Sequence, residues 1–182
     1  MEASTVLGFS PKGEIENNLV TEINAESLGL DFLAYGFNNQ NIGNAVLSLL
    51  SRSLPVRGVE DTSETHGAQA QLKDQLTNAG AQVLIYNPPS GIQHNKILIF
   101  RGRRKVATGS FNFTGRAQLH NDENNIILPF DMQLQSQLGN TVEEAYSKYF
   151  ESIWTLAKPE PTTLRGARRF ARGIVSITRH RF

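Results

Sequence analysis

The sequence predicts an α/β fold, a β-sheet with helices packed on its faces. Short apolar runs bounded by Gly, Pro and Asn alternate with stretches whose apolar residues recur every three or four positions. The links between them are short, and the order β-α-β-α-β-α-β is that of a sheet covered by helices. At 182 residues the chain fits one domain, and 39% hydrophobic with 19% charged residues is the composition of a packed globule. A disordered or collagen-like chain is excluded.

Residues 5–10 form a short apolar strand ended by the turn signal Pro11-Lys12-Gly13. Residues 14–25 follow with helical spacing at Ile15, Leu19, Val20 and Ile23, then a strand over 28–37. Ile42, Ala45, Val46, Leu49 and Leu50 share one face of a helix over 42–53, and 55–60 is a third strand. Residues 61–67 are polar and predict a loop. A helix over 68–79 stops at Gly80, before a strand over 83–86 and a Pro-rich loop over 87–91. Residues 97–100 are four consecutive apolar residues, as in a strand covered on both faces, and 105–108 and 125–128 are further short strands. The longest helical stretch is 134–156, with Gly139-Asn140 as its point of weakness and Pro159 and Pro161 beyond its end.

The net charge of +1 conceals an asymmetry. The last 18 residues hold six Arg and no acid, which leaves 12 basic against 17 acidic residues in positions 1–164. The sequence thus divides into a domain over 1–158 and a basic tail over 159–182. The tail, with Phe170, Ile174, Val175 and Ile177 among its arginines, suits a polyanion or a disordered solubilising end, with an anionic membrane surface as the less favoured alternative. The absence of cysteine excludes a disulfide scaffold, a Cys-zinc site and a Cys nucleophile. Neither a signal-peptide pattern nor a run of ~18 apolar residues is visible, so the default expectation is a cytoplasmic protein.

The chemistry concentrates in 93–127. In an extended segment His94 and Lys96 project to the same side, beside the rigid run that follows. Gly109 permits close backbone approach, and Ser110 and Asn112 also share a side. A neutral imidazole can attack phosphorus, while an ammonium and an amide can hold the non-bridging oxygens. A carboxylate such as Glu123 can fix the imidazole tautomer. Arg101, Arg103, Arg104 and Lys105 put four positive charges within five residues, either a solvated turn or a rim that tracks phosphates. His66 and His120 fit surface roles better than catalytic ones.

His94-x-Lys96 followed by Gly109-Ser110-x-Asn112 resembles the HKD motif of the phospholipase D superfamily. The likeness extends over about residues 5–156, through Phe9-Ser10-Pro11, the segment 33–37, Gln93 to Ile99, Thr108 to Thr114, and Glu123-Asn124. It is nearest to the small bacterial endonucleases of that superfamily with one motif per chain.

The resemblance implies a mixed β-sheet flanked by helices on both faces and a dimer-forming chain. It implies hydrolysis of DNA or RNA phosphodiester bonds through a phosphohistidine, in a composite homodimer site without metal or other cofactor. His94 from one copy would be nucleophile and His94 from the other general acid and base, with Lys96 and Asn112 on the phosphate and Ser110 and Glu123 in support. Gly109, Arg101, Arg103, Arg104 and Lys105 are expected to bind substrate. Arg101 stands where the family places the motif aspartate. That departure keeps a catalytically silent nucleic-acid-binding member among the alternatives, beside a lipid phosphodiesterase.

Overall fold

In the computed structural model, residues 4–11, 14–64 and 67–160 are described. Seven strands form one sheet: β1 (Val6–Ser10), β2 (Leu30–Ala34), β3 (Val56–Asp61), β4 (Gln82–Tyr86), β5 (Lys96–Phe100), β6 (Lys105–Gly109) and β7 (Glu123–Pro129). Their spatial order is β1-β7-β6-β5-β2-β3-β4. β2, β3 and β4 run parallel, joined by the helices α2 (Gln40–Ser51) and α3 (Gly67–Asn78). β5, β6, β7 and β1 each run antiparallel to their neighbours. The sheet is mixed, as the family resemblance implied.

Side-chain alternation lets one sheet serve two cores. Leu30, Phe32 and Ala34 of β2, with Leu98 and Phe100 of β5, face α2, α3 and the helix α1 (Glu14–Asn24), which contributes Ile15, Leu19 and Ile23. Leu33, Val59, Ile97 and Ile99 point the other way, onto α5 (Val142–Leu156) with its Val142, Phe150 and Ile153. The four-residue apolar run in β5 is thus buried on both faces. Gly58 is required by close approach, since a Cβ there would lie 2.0 Å from the Phe32 ring.

Two stretches depart from the sequence expectation. The helix predicted over 134–156 begins only at Val142, and an antiparallel hairpin, β8 (Gln133–Ser136) and β9 (Gly139–Thr141), precedes it. Thr141 caps α5 by accepting from the Glu144 amide (3.2 Å), and the Glu144 carboxylate accepts from the Asn140 amide (2.8 Å). This reciprocal pairing is close to a capping box, so Thr141-x-x-Glu144 was the overlooked start signal. A short helix, α4 (Gly115–His120), capped by Thr114, lies where no element was expected. Residues 62–64 make one 3-10 turn within the expected loop.

The chain stays on the body beyond 158. Lys158 and Ile85 exchange backbone hydrogen bonds of 2.7 and 2.9 Å, and Lys73 and Glu160 form a buried ion pair at 2.6 Å. The rest of the basic tail, like His66, lies outside the described residues. No helix among the described residues is long and apolar enough to cross a membrane.

Register determines where the site must be. β2, β3 and β4 end at the same side of the sheet. β5 is antiparallel to β2 and starts there, with Lys96 opposite Ala34. β6 ends and β7 starts there, with Gly109 opposite Asn125, and Ser10 of β1 lies opposite Glu123. Residues dispersed through the sequence therefore converge at one end of the sheet.

Candidate active site

His94 sits in the loop entering β5, and nearly every polar group around it is engaged. The buried Gln93 donates its backbone N–H to Asp61 Oδ2 (2.6 Å) and its side-chain amide to the Val59 carbonyl (3.2 Å). Gln93 Oε1 accepts from the Asn95 N–H (2.6 Å), while the Asn95 carbonyl accepts from Tyr35 (3.0 Å). Asn95 Nδ2 donates to the Tyr149 hydroxyl on α5 (3.1 Å). The His94 carbonyl accepts from Lys96 Nζ (2.6 Å). This frame presents the His94 side chain outward, exposed, with its ring 4.5 Å from that of Tyr35.

Lys96 is 4% exposed, and its ammonium lies 5.4 Å from the centre of the Tyr35 ring. Burial pushes its pKa down to about 8, against the opposing charge of Glu123. The His94 pKa is lowered, first by partial desolvation and then by the Lys96 ammonium, while Asp61, Glu123 and Glu64 act in the opposite direction. Near neutral pH the pair is a neutral imidazole beside a charged lysine, the protonation states that nucleophilic attack on a phosphodiester requires.

The second half of the constellation rests on β6 and β7. Gly109 has φ +154°, and a Cβ there would stand 2.3 Å from the Asn124 carbonyl oxygen. That approach lets Ser110 pair with Asn124 twice: Ser110 N–H donates to the Asn124 carbonyl and Ser110 Oγ accepts from the Asn124 N–H, both at 3.0 Å. Phe111 and Phe113 are fully buried and flank Asn112, and Phe113 bridges to Phe37 beyond β2. Asn112 Oδ1 is buried with no hydrogen-bond partner, so the chain leaves part of this amide's capacity unused. The Glu123 carboxylate accepts from Asn121 Nδ2 (2.9 Å) and influences His94 and Lys96 through charge, with no hydrogen bond to the imidazole within the chain.

The basic turn is not beside this site. It joins β5 to β6, so Arg101 is five residues along the strand from Lys96, about 16 Å away at the opposite end of the sheet. Its charges are also paired. Arg101 forms a bidentate pair with the buried Asp31, which also holds Arg57 (2.8 Å). Arg103 (2.9 Å) and Lys105 (2.6 Å) share Glu22, and Arg104 reaches Glu143 (3.2 Å). Proximity in sequence had suggested a rim, but a hairpin carries its turn one strand length from its open end.

Three residues that position the site escaped the sequence reading. Asp61 is the last residue of β3 and buried, but its type and its polar neighbours predict a loop. Gln93 and Tyr35 lay within segments already noted, with no pattern to distinguish their roles. Among the described residues no group of three or more His, Asp or Glu converges in a metal-ligating arrangement.

An exposed imidazole next to a buried ammonium at the carboxyl ends of parallel strands suits phosphoryl chemistry, and comparison with known proteins specifies the class. The family model described as "Cardiolipin synthase, PLD-like domain" matches residues 19–154. The chain belongs to the phospholipase D superfamily. It is 33% identical over 132 residues to phospholipase D of Rickettsia conorii, covering 72% of this chain and 64% of that protein. To mitochondrial cardiolipin hydrolase of Homo sapiens it is 31% identical over 156 residues, 84% of this chain and 56% of that protein. The chain thus spans less than two thirds of these curated relatives. The crystal structure of the phospholipase D family member Nuc from Salmonella typhimurium superposes with a TM-score of 0.74 at 25% identity, covering 86% of this chain and 97% of that one. NucT from Helicobacter pylori, at 17% identity and TM-score 0.68, shares the fold.

Proposed function

We propose that this protein hydrolyses phosphodiester bonds of nucleic acid, using His94 as nucleophile in a site completed by a second copy of the chain. The observation that carries the reading is the paired state of His94 and Lys96, an outward imidazole held neutral beside a buried ammonium, supplied once per chain. The two imidazoles of the site share one proton: the neutral His94 attacks phosphorus, the phosphorus–oxygen bond to the leaving strand breaks, and the protonated His94 of the second copy donates its proton to that oxygen. The same second imidazole then takes a proton from water, whose oxygen attacks the phosphohistidine. The phosphorus–nitrogen bond breaks and a phosphomonoester end is left. Lys96 and Asn112 from both copies hold the non-bridging oxygens, so the lysine charge and the amide N–H groups serve the transition state without a metal.

The likeness to Nuc across 97% of that chain supports a working unit of this size, and six arginines without an acid in the last 18 residues support a polyanionic substrate. The departure at Arg101 does not favour a silent protein. The strand end still holds a buried carboxylate, contributed by Asp31 of β2 and gripped by Arg101. The names of the relatives from Rickettsia conorii and Homo sapiens, together with Ile92 exposed at 51% two residues before His94, support a phospholipid diester as second reading.

The test compares parent and His94→Ala on single- and double-stranded DNA and RNA and on phosphatidylcholine and cardiolipin vesicles, all in EDTA. Parent cleavage of nucleic acid, reduced at least ~1,000-fold in the variant, is the expected outcome. Equal rates for the two proteins would sink the catalytic assignment, and turnover of vesicles alone would select the lipid reading.

A further inference from the structure

The site within one chain is poor in positive charge. Lys96 is its one ammonium, and Asp61, Glu64 and Glu123 all act on His94 as negative charges. The cations elsewhere on the sheet are engaged, with Arg57, Arg101, Arg103, Arg104 and Lys105 each on a carboxylate. Arg116 is different. It is exposed, and it has no carboxylate partner among the described residues.

Arg116 is carried by α4, which is pinned across the strand ends that form the site. At its start, Gly115 N–H donates to Asn38 Oδ1 (3.2 Å), and the Thr114 cap packs where a Gly36 Cβ would meet both Thr114 Cγ2 (3.1 Å) and Glu64 Oε2 (3.8 Å). At its end, Ser10 Oγ donates to the carbonyls of Ala117 (2.9 Å) and Asn121 (3.0 Å), and Glu123 follows. Asn112 is four residues before Arg116. Ala117 and Gln118 are buried, while Arg116, Leu119 (65% exposed) and His120 face outward. Their spacing of three and four residues places them on one side of the helix.

Resting on the nucleic-acid reading above, we propose that this face of α4 grips a single strand next to the scissile phosphate. Arg116 takes a neighbouring phosphate, and Leu119 with the His120 ring supplies a surface against which a base packs. Such a contact is sequence-tolerant, because every base has an apolar face and every nucleotide a phosphate. It also offsets the acidic residues that a polyanion meets at His94.

The experiment measures binding of a fluorescein-labelled twelve-residue oligo-dT across a sodium chloride series, in the His94→Ala background, together with turnover of the same oligonucleotide by the parent and by Arg116→Gln. Arg52→Gln is the charge-matched control, because Arg52 caps α2 at the opposite end of the sheet. Arg116→Gln should weaken binding about five-fold or more at 0.1 M salt and reduce the salt slope by about 0.7 for each arginine removed, with the loss of turnover carried by KM. Leu119→Glu should weaken binding further without restoring the slope. Identical affinity and slope for Arg116→Gln and Arg52→Gln would overturn the assignment. So would a fall of Arg116→Gln to monomer mass, which would assign α4 to the contact between copies, or binding of the His94→Ala protein to phosphatidylglycerol vesicles but not to oligo-dT. Binding weakened by Arg116→Gln, with no parent turnover of any nucleic acid, would leave the α4 face standing and remove the hydrolytic reading instead.

Discussion

Lys96 shows how a single side chain can serve the reaction at the expense of the fold. Its folded pKa of about 8 lies well below the ordinary lysine value of 10.5. The folded state therefore binds this proton less tightly than the unfolded chain does. The resulting destabilisation is full below about pH 8 and disappears as pH rises toward the unfolded value. At about 1.4 kcal/mol per pKa unit it comes to about 3 kcal/mol at neutral pH, offset by about 1 kcal/mol for the bond to the His94 carbonyl. Lys96→Met should consequently raise stability by about 2 kcal/mol at pH 7 in chemical denaturation, lose that advantage above pH 10, and abolish turnover. The same two residues predict a bell-shaped pH–rate profile. Activity should rise as the attacking His94 loses its proton, below the usual imidazole value, and decline as the proton-donating His94 of the second copy loses its own, with a further fall near pH 8 as Lys96 is neutralised. In Lys96→Arg, whose guanidinium stays charged, the fall near pH 8 should vanish from the remaining activity while the limb set by the proton-donating imidazole remains.

At the scale of elements, the site depends on how strand ends are joined rather than on any one strand. Gly109 allows β6 to approach Asn124 at the start of β7, and through that contact Ser110 and the loop bearing Asn112 are placed. Gly109→Ala should cost about 3 kcal/mol, because φ +154° and a 2.3 Å approach to a backbone oxygen leave a methyl group no accommodation. Thermal melting checks the stability loss, and turnover should fall at temperatures where the variant is still folded. The hairpin between β5 and β6 illustrates the converse. Its cations are adjacent in sequence to the His94 segment yet lie a full strand length from it. The sequence expectation failed there because linear proximity carries no information about which end of a hairpin a residue occupies.

For the whole molecule, the proposed composite site makes activity depend on how copies associate. Co-expressing equal amounts of parent and His94→Ala chains gives random pairs, of which about a quarter contain two intact copies. If turnover needs an imidazole from each, activity per chain should be about a quarter of the parent's, whereas independent sites would give half. Sedimentation of the same samples gives the pairing on which that comparison depends. Activity at one half, with pairing established, would show that each chain works alone.

The core pattern of this protein was legible from residue order, since period-2 and period-3.6 spacing are local consequences of burial. That spacing located β1 to β7, α1, α2 and α3 to within a few residues. His94, Lys96, Ser110, Asn112 and Glu123 were candidates by their resemblance to the HKD motif, and the fold brings their segments to one end of the sheet. The short α4, the β8–β9 hairpin and the positioning roles of Asp61, Gln93 and Tyr35 were not legible. The hairpin is local and ends at the Thr141 cap that marks the start of α5, whereas the others rest on contacts between segments distant in the chain, as when Gln93 meets Asp61 across 32 residues or Ser10 meets α4 across 107. Spacing specifies which side chains can share a face. Only strand order and register bring the ends of β2, β3, β5, β6 and β7 together, so only they determine that the His94 and Asn112 segments share one end of the sheet while Arg101 lies at the other.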